Sequence, residues 1–124
     1  MINYVTIGVS DLAKATEFYT KLLEPIGGKL LFDGGRIRFF GTSMAEPMLA
    51  ICTPYDENAP HPGNGTMFAI APGTRAKVDE LYALALSIGA SDDGAPGQRV
   101  KDFFYGGYVR DPDGNKMVFN YLGK

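Results

Sequence analysis

An α+β fold built from two β-α-β-β-β modules is predicted by three features of this chain. A strand-to-helix stretch occurs twice, each helix is followed by short strand-like runs divided by glycine turns, and the composition suits one small core. The repeat carries most weight. Tyr4-Val5-Thr6-Ile7-Gly8-Val9-Ser10-Asp11-Leu12 leads into a helical pattern, and a gapless shift of 63 positions places Ile7 on Ile70, Ala13 on Ala76, Lys14 on Lys77, Glu17 on Glu80, Tyr19 on Tyr82 and Leu23 on Leu86. With 124 residues and 45% hydrophobic content, there is apolar material for one compact core and too little for two independent domains. A single domain over 1–124 is expected, with module one at 1–53, a connector at 54–65 and module two at 66–124.

The elements follow from local pattern. Ile2 to Val9 is β-branched and aromatic and reads as the first strand. Ser10 or Asp11 caps a helix in which Leu12, Ala15, Phe18, Tyr19, Leu22 and Leu23 recur at three- and four-residue spacing, until Pro25 and Gly27-Gly28 stop it. Lys29–Phe32 and Arg36–Gly41 form two strands around the turn Asp33-Gly34-Gly35, and Met48–Thr53 closes the module. Prolines 54, 60 and 62 keep regular structure out of the connector. Thr66–Ala71 and Thr74–Ile88 repeat strand and helix. A short strand near Ala90 and a loop rich in Gly, Asp and Pro then lead to strands at Phe103–Arg110 and Lys116–Tyr121.

Charge narrows the partners. Twelve basic against fourteen acidic residues leave no positive surplus for a nucleic-acid backbone or an anionic membrane. No apolar run approaches the roughly 20 residues of a membrane span, and the N-terminus enters a strand pattern without a signal core, so a cytoplasmic placement is expected. One cysteine cannot form an internal disulfide.

Between the last two strands lies Asp111-Pro112-Asp113-Gly114-Asn115, in which proline sets φ early in a turn and glycine takes the left-handed place after it. Together with the duplicated modules, the opening Tyr-Val-Thr-Ile-Gly-Val-Ser-Asp-Leu and Phe18-Tyr19 in the first helix, this turn makes the chain resemble the vicinal oxygen chelate superfamily. That superfamily contains glyoxalase I, extradiol dioxygenases and the bleomycin resistance proteins. The resemblance implies two modules whose curved mixed sheet encloses a cup, with His, Gln or Glu metal ligands on the first and last strands of each half. Those positions fall on Tyr4, Ile51, Met67 and Val118. None carries the usual ligand, and Ile and Val cannot bind a metal at all. The chain's one His, His61, lies between two connector prolines, and Cys52 reads as an apolar filler facing the first helix, so no metal and no cofactor are expected.

Strand alternation then assigns the cup lining. Tyr4, Thr6, Leu49, Ile51, Met67, Ala69, Val118 and Asn120 are expected to face the cavity, with Arg36, Arg38 and Phe40 pointing to it or its rim and Ile37 and Phe39 beneath the helix. Arg38 offers a planar fork of donors to an anion, and Tyr105 and Tyr108 supply aromatic surface. The candidate ligand-binding residues are thus Tyr4, Arg38, Phe40, Ile51, Met67, Tyr105, Tyr108 and Val118. The favoured function is metal-independent binding of a small aromatic or anionic molecule, by a chain that forms a homodimer. An alternative is a glyoxalase- or dioxygenase-type enzyme without metal or with an atypical one, using Tyr4 or Tyr105 for proton transfer. Such a base would need a nearby cation to lower its pKa, for which Arg38 is the candidate. A third reading is a dimeric interaction module whose cup is filled by its own side chains and whose strand edges dock a partner.

Overall fold

The computed structural model describes residues 1–124. Its backbone divides into two compact units, Met1–Pro62 and Gly63–Lys124, each of order β-α-β-β-β.

In the first unit, β1 (Tyr4–Gly8) leads to α1 (Leu12–Leu23), and after a 3-10 turn at Glu24–Ile26 come β2 (Lys29–Asp33), β3 (Ile37–Gly41) and β4 (Met48–Cys52). The sheet runs β1-β4-β3-β2, with β1 parallel to β4 and the other pairs antiparallel. Asp11 caps α1 by accepting from the Lys14 amide at 3.0 Å. Pro25 fits the first turn of the 3-10 segment, where its missing N–H loses nothing, and Gly27 ends it at φ 80°. Ala15, Phe18, Tyr19, Leu22 and Leu23 form the buried stripe of α1.

The second unit repeats the plan with β5 (Phe68–Ile70), α2 (Arg75–Ser87), β6 (Ser91–Val100), β7 (Phe104–Arg110) and β8 (Lys116–Leu122) in the order β5-β8-β7-β6. Thr74 caps α2 through the Lys77 amide at 3.1 Å, at the same place in the repeat as Asp11. Val78, Leu81 and Ala85 of α2 are buried, as are Val109, Met117 and Phe119 of β7 and β8. The turn at Asp111 is hydrogen-bonded throughout. Its Oδ1 accepts from the amides of Asp113 at 2.9 Å and Asn115 at 2.8 Å, its Oδ2 from the Asn115 side chain at 3.0 Å, and its carbonyl from the Gly114 amide at 2.8 Å.

One expectation is corrected here. The stretch read as a short strand and a Gly, Asp and Pro loop is a continuous strand, β6, with three breaks in register against β7. Edge position makes this composition admissible, because Pro96 removes a donor that an edge strand can spare and the bulges absorb Gly94 at φ 142°. No helix is long and apolar enough to cross a membrane.

Candidate functional site

Each sheet has one face packed on its helix and one face free of it, and the register fixes which side chains share a face. In the first unit Tyr4 lies opposite Met48, Thr6 opposite Ala50 and Gly8 opposite Cys52, while β3 sets Phe39 against Ala50 and Ile37 against Cys52. These residues occupy the helix-free face. There Tyr4 meets Phe39 edge-on at 4.7 Å between ring centroids, and Phe32 lies 6.0 Å from Phe39. Tyr4 is 46% and Phe32 51% exposed, which leaves an open aromatic row on the sheet.

The other face belongs to α1. Phe40 is fully buried 6.3 Å from the Tyr19 ring, and Arg38 donates through Nη1 to Thr16 Oγ1 at 2.8 Å. Arg38 Nε also lies 3.4 Å from Asp33 Oδ1. Cross-strand pairing carries Leu49 and Ile51 to the same face, opposite Phe40 and Arg38. The alternation assumed for β3 and β4 is therefore inverted: Arg38, Phe40, Leu49 and Ile51 pack toward α1, and Ile37, Phe39 and Cys52 face away from it. A sheet has a side-chain period of two, so an error of one residue moves every side chain to the opposite face. The apolar run Phe39-Phe40 offers both parities, and the pocket beneath Tyr19 selects Phe40.

At the end of β1 the connector folds back on the sheet. A Cβ on Gly8 would stand 3.0 Å from Pro60 Cβ, so only glycine lets the chain lie so close. Beside it Val9, Ser10, Arg36, Thr53, Pro54 and Asn58 border an open cleft of about 560 Å³. Arg36 donates to the Thr53 carbonyl at 2.7 Å, with its guanidinium 5.4 Å from the centre of the Tyr55 ring. His61 is exposed in the connector.

In the second unit Val118 lies between Ala69 and Tyr108, and Asn120 is opposite Gly106. Phe104, Gly106, Tyr108 and Val118 share the helix-free face, and Met67 continues the alternation of Ala69 just before β5. Tyr105 points the other way. Its hydroxyl donates to Asp79 of α2 at 2.6 Å, and Arg75 of the same helix stands 5.2 Å from its ring centre. The hydrogen bond to Asp79 is the main force raising the Tyr105 pKa above the ordinary phenol value, with desolvation adding to it and Arg75 and Arg99 opposing. A proton-transfer role at neutral pH needs the opposite shift, and the cation assigned to assist Tyr4, Arg38, lies on the other face of its sheet. Ultraviolet titration of Asp79→Ala is expected to bring one phenol down toward the ordinary range; an unchanged titration would show that Asp79 does not hold that proton.

Of the eight residues expected to meet a ligand, the structure thus puts Tyr4, Met67, Tyr108 and Val118 on helix-free faces and Arg38, Phe40, Ile51 and Tyr105 under helices. Phe32, Phe39, Phe104 and Lys116 join the first group. Their signal was present as alternation but needed the register to be read.

The family model described as the glyoxalase/bleomycin resistance protein/dioxygenase superfamily matches residues 1–119. The chain belongs to this superfamily. A glyoxalase/bleomycin resistance protein from Albidiferax ferrireducens T118 is similar in structure, with TM-score 0.87 and 29% identity over 97% of each chain. A glyoxalase/bleomycin resistance protein/dioxygenase family enzyme from Burkholderia phytofirmans PsJN gives 0.76 at 19% identity over 97% of each chain. A glyoxalase-related enzyme from Fulvimarina pelagi gives 0.74 at 20% identity over 97% of this chain and 86% of its own. The last two likenesses bear on the fold alone. No curated protein matches the sequence.

For metal-dependent members of the superfamily the question is whether the donor set fits. On β4 the residues sharing the face of Tyr4 are Met48, Ala50 and Cys52, not Ile51, so the positions at issue are Tyr4, Met67, Val118 and this face of β4. No group of three or more His, Cys, Asp or Glu side chains gathers anywhere in the chain. These residues do not fit the superfamily's divalent ion, because a phenol, thioethers, one buried thiol and hydrocarbon stand where imidazole nitrogen or carboxylate oxygen is required.

Proposed function

We infer that this glyoxalase/bleomycin resistance superfamily chain binds a small aromatic or anionic molecule on the helix-free faces of its sheets, without a metal. The observation that carries the reading is the open row Tyr4, Phe39 and Phe32, which leaves large aromatic surface in water. Soluble chains seldom leave such surface exposed unless something covers it. The same surplus on the first unit, and separately the exposed Met67 and Leu122 of the second, support a homodimer as the working form. A cytoplasmic setting suits the single buried thiol of Cys52.

The neutral fluorophore N-phenyl-1-naphthylamine tests this reading. Saturable binding is expected, accompanied by a rise in Tm, since a ligand that prefers the native state must stabilise it. Tyr4→Ala and Phe39→Ala should each weaken binding about tenfold, the loss of one aromatic contact of about 1.4 kcal/mol. Chelator and added Zn²⁺ should change nothing, and sedimentation equilibrium should give twice the 13.4 kDa chain mass. Absence of saturable binding, or binding that requires a metal, overturns the ligand reading; a monomer at all concentrations removes the dimer.

A further inference from the structure

The two helix-free faces differ in charge. On the first unit's face, which carries Tyr4, Thr6, Ile37, Phe39, Met48, Ala50 and Cys52, the ionisable groups are the Tyr4 phenol, the buried Cys52 thiol and Lys29 opposite Gly41. On the second unit two cations stand over one ring, and a third lies near by on the same face. The Arg99 guanidinium and the Lys116 ammonium each stand 5.5 Å from the centre of Tyr108. Arg110 lies on the next position of the same face, two residues from Tyr108.

The carboxylate supply there is short. Asp93 is 3.2 Å from Arg110 Nε and 3.5 Å from Lys116 Nζ, so one acid serves two bases. No carboxylate pairs with Arg99, which donates to the Ala95 carbonyl instead. Asp92 is engaged elsewhere, accepting from Tyr82 Oη at 2.6 Å and the Gly94 amide at 2.9 Å. The seat of Arg99 depends on the irregular edge strand: a Cβ at Gly97 would come within 2.7 Å of its Nη1, and one at Gly94 within 3.5 Å of its Nη2. Gly97 therefore leaves the guanidinium room to lie along β6 beside the Tyr108 ring. Two like charges on one ring repel each other, and an anion between them would relieve that repulsion while gaining charge-assisted hydrogen bonds.

We propose that Arg99, Lys116 and Tyr108 form an anion-recognition site, and that the guest is an organic anion: a planar apolar body carrying a carboxylate, sulfonate or phosphate. This rests on the ligand-binding reading above and specifies its chemistry. The apolar body stacks by Tyr108, while the acidic group meets the fork of Arg99 and the ammonium of Lys116.

The test compares 1-anilinonaphthalene-8-sulfonate with neutral N-phenyl-1-naphthylamine, which has the same aromatic frame without the sulfonate. The full-length chain should bind the sulfonate about tenfold more tightly, with the difference shrinking as salt rises. Arg99→Gln and Lys116→Gln should each remove most of that preference and leave the neutral probe within about twofold. Arg36→Gln, a cation of the first unit, should leave the preference intact. Equal binding of the two probes by the parent chain, or an unchanged preference in both variants, overturns the proposal while the ligand reading stands. If neither probe binds, both fall. Circular dichroism confirms that each variant is folded, and Gly97→Ala supplies a variant that displaces the guanidinium and keeps the charge; it too should lower the preference.

Discussion

Phe40→Ala is expected to destabilise the protein by about 3–5 kcal/mol and to lower Tm by more than about 10 °C, the range for emptying a large aromatic from a packed core. Phe40 has no exposed surface and sits 6.3 Å from the Tyr19 ring beneath α1. Its neighbour Phe39 is only half-buried, on the opposite face beside Tyr4. Phe39→Ala should therefore cost about 1 kcal/mol, since solvent already reaches part of what it loses. Urea denaturation of the two variants decides between the two facings of β3. Equal losses, or a larger loss at Phe39, would restore the alternation first assigned to that strand and unseat the aromatic row.

Removing Asp111 should be nearly as severe. Asp111→Ala takes three acceptor contacts from one buried turn, those serving the amides of Asp113 and Asn115 and the Asn115 side chain. A loss of about 3 kcal/mol is expected, because a buried donor left without a partner costs its full desolvation. Asp111→Asn retains one acceptor oxygen and should recover part of that loss. If alanine and asparagine variants denature together at the parent's urea midpoint, the carboxylate is not what holds this hairpin, and the motif owes its shape to Pro112 and Gly114 alone.

How far the sequence could be read depended on how local each cause was. The repeat was legible because each helix start is decided within four residues, by Asp11 over Lys14 and by Thr74 over Lys77. The family was legible because the Asp111 turn, the caps and the helix stripe are all short-range features. The facing of β3 was not, since Phe39 and Phe40 are equally apolar and only the position of Tyr19, 21 residues away from Phe40, chooses between them. Ile51 failed for the same reason: its facing follows from pairing with Arg38, a relation between strands. Tyr105 was misplaced because the alternation of β7 could not be anchored until Asp79 and Arg75 of α2 were seen beside it. β6 was missed because composition argues against any strand at Pro96, an argument valid for inner strands and void at an edge.

That edge has one more effect. A straight, regular rim of unpaired amides and carbonyls would template the addition of strand upon strand from neighbouring molecules, the first step toward fibres. β6 breaks register three times along its length and carries Pro96 where a donor would otherwise project. The irregularity that gives Arg99 its seat thus also blunts the outer margin of the second sheet as a nucleus for insoluble growth.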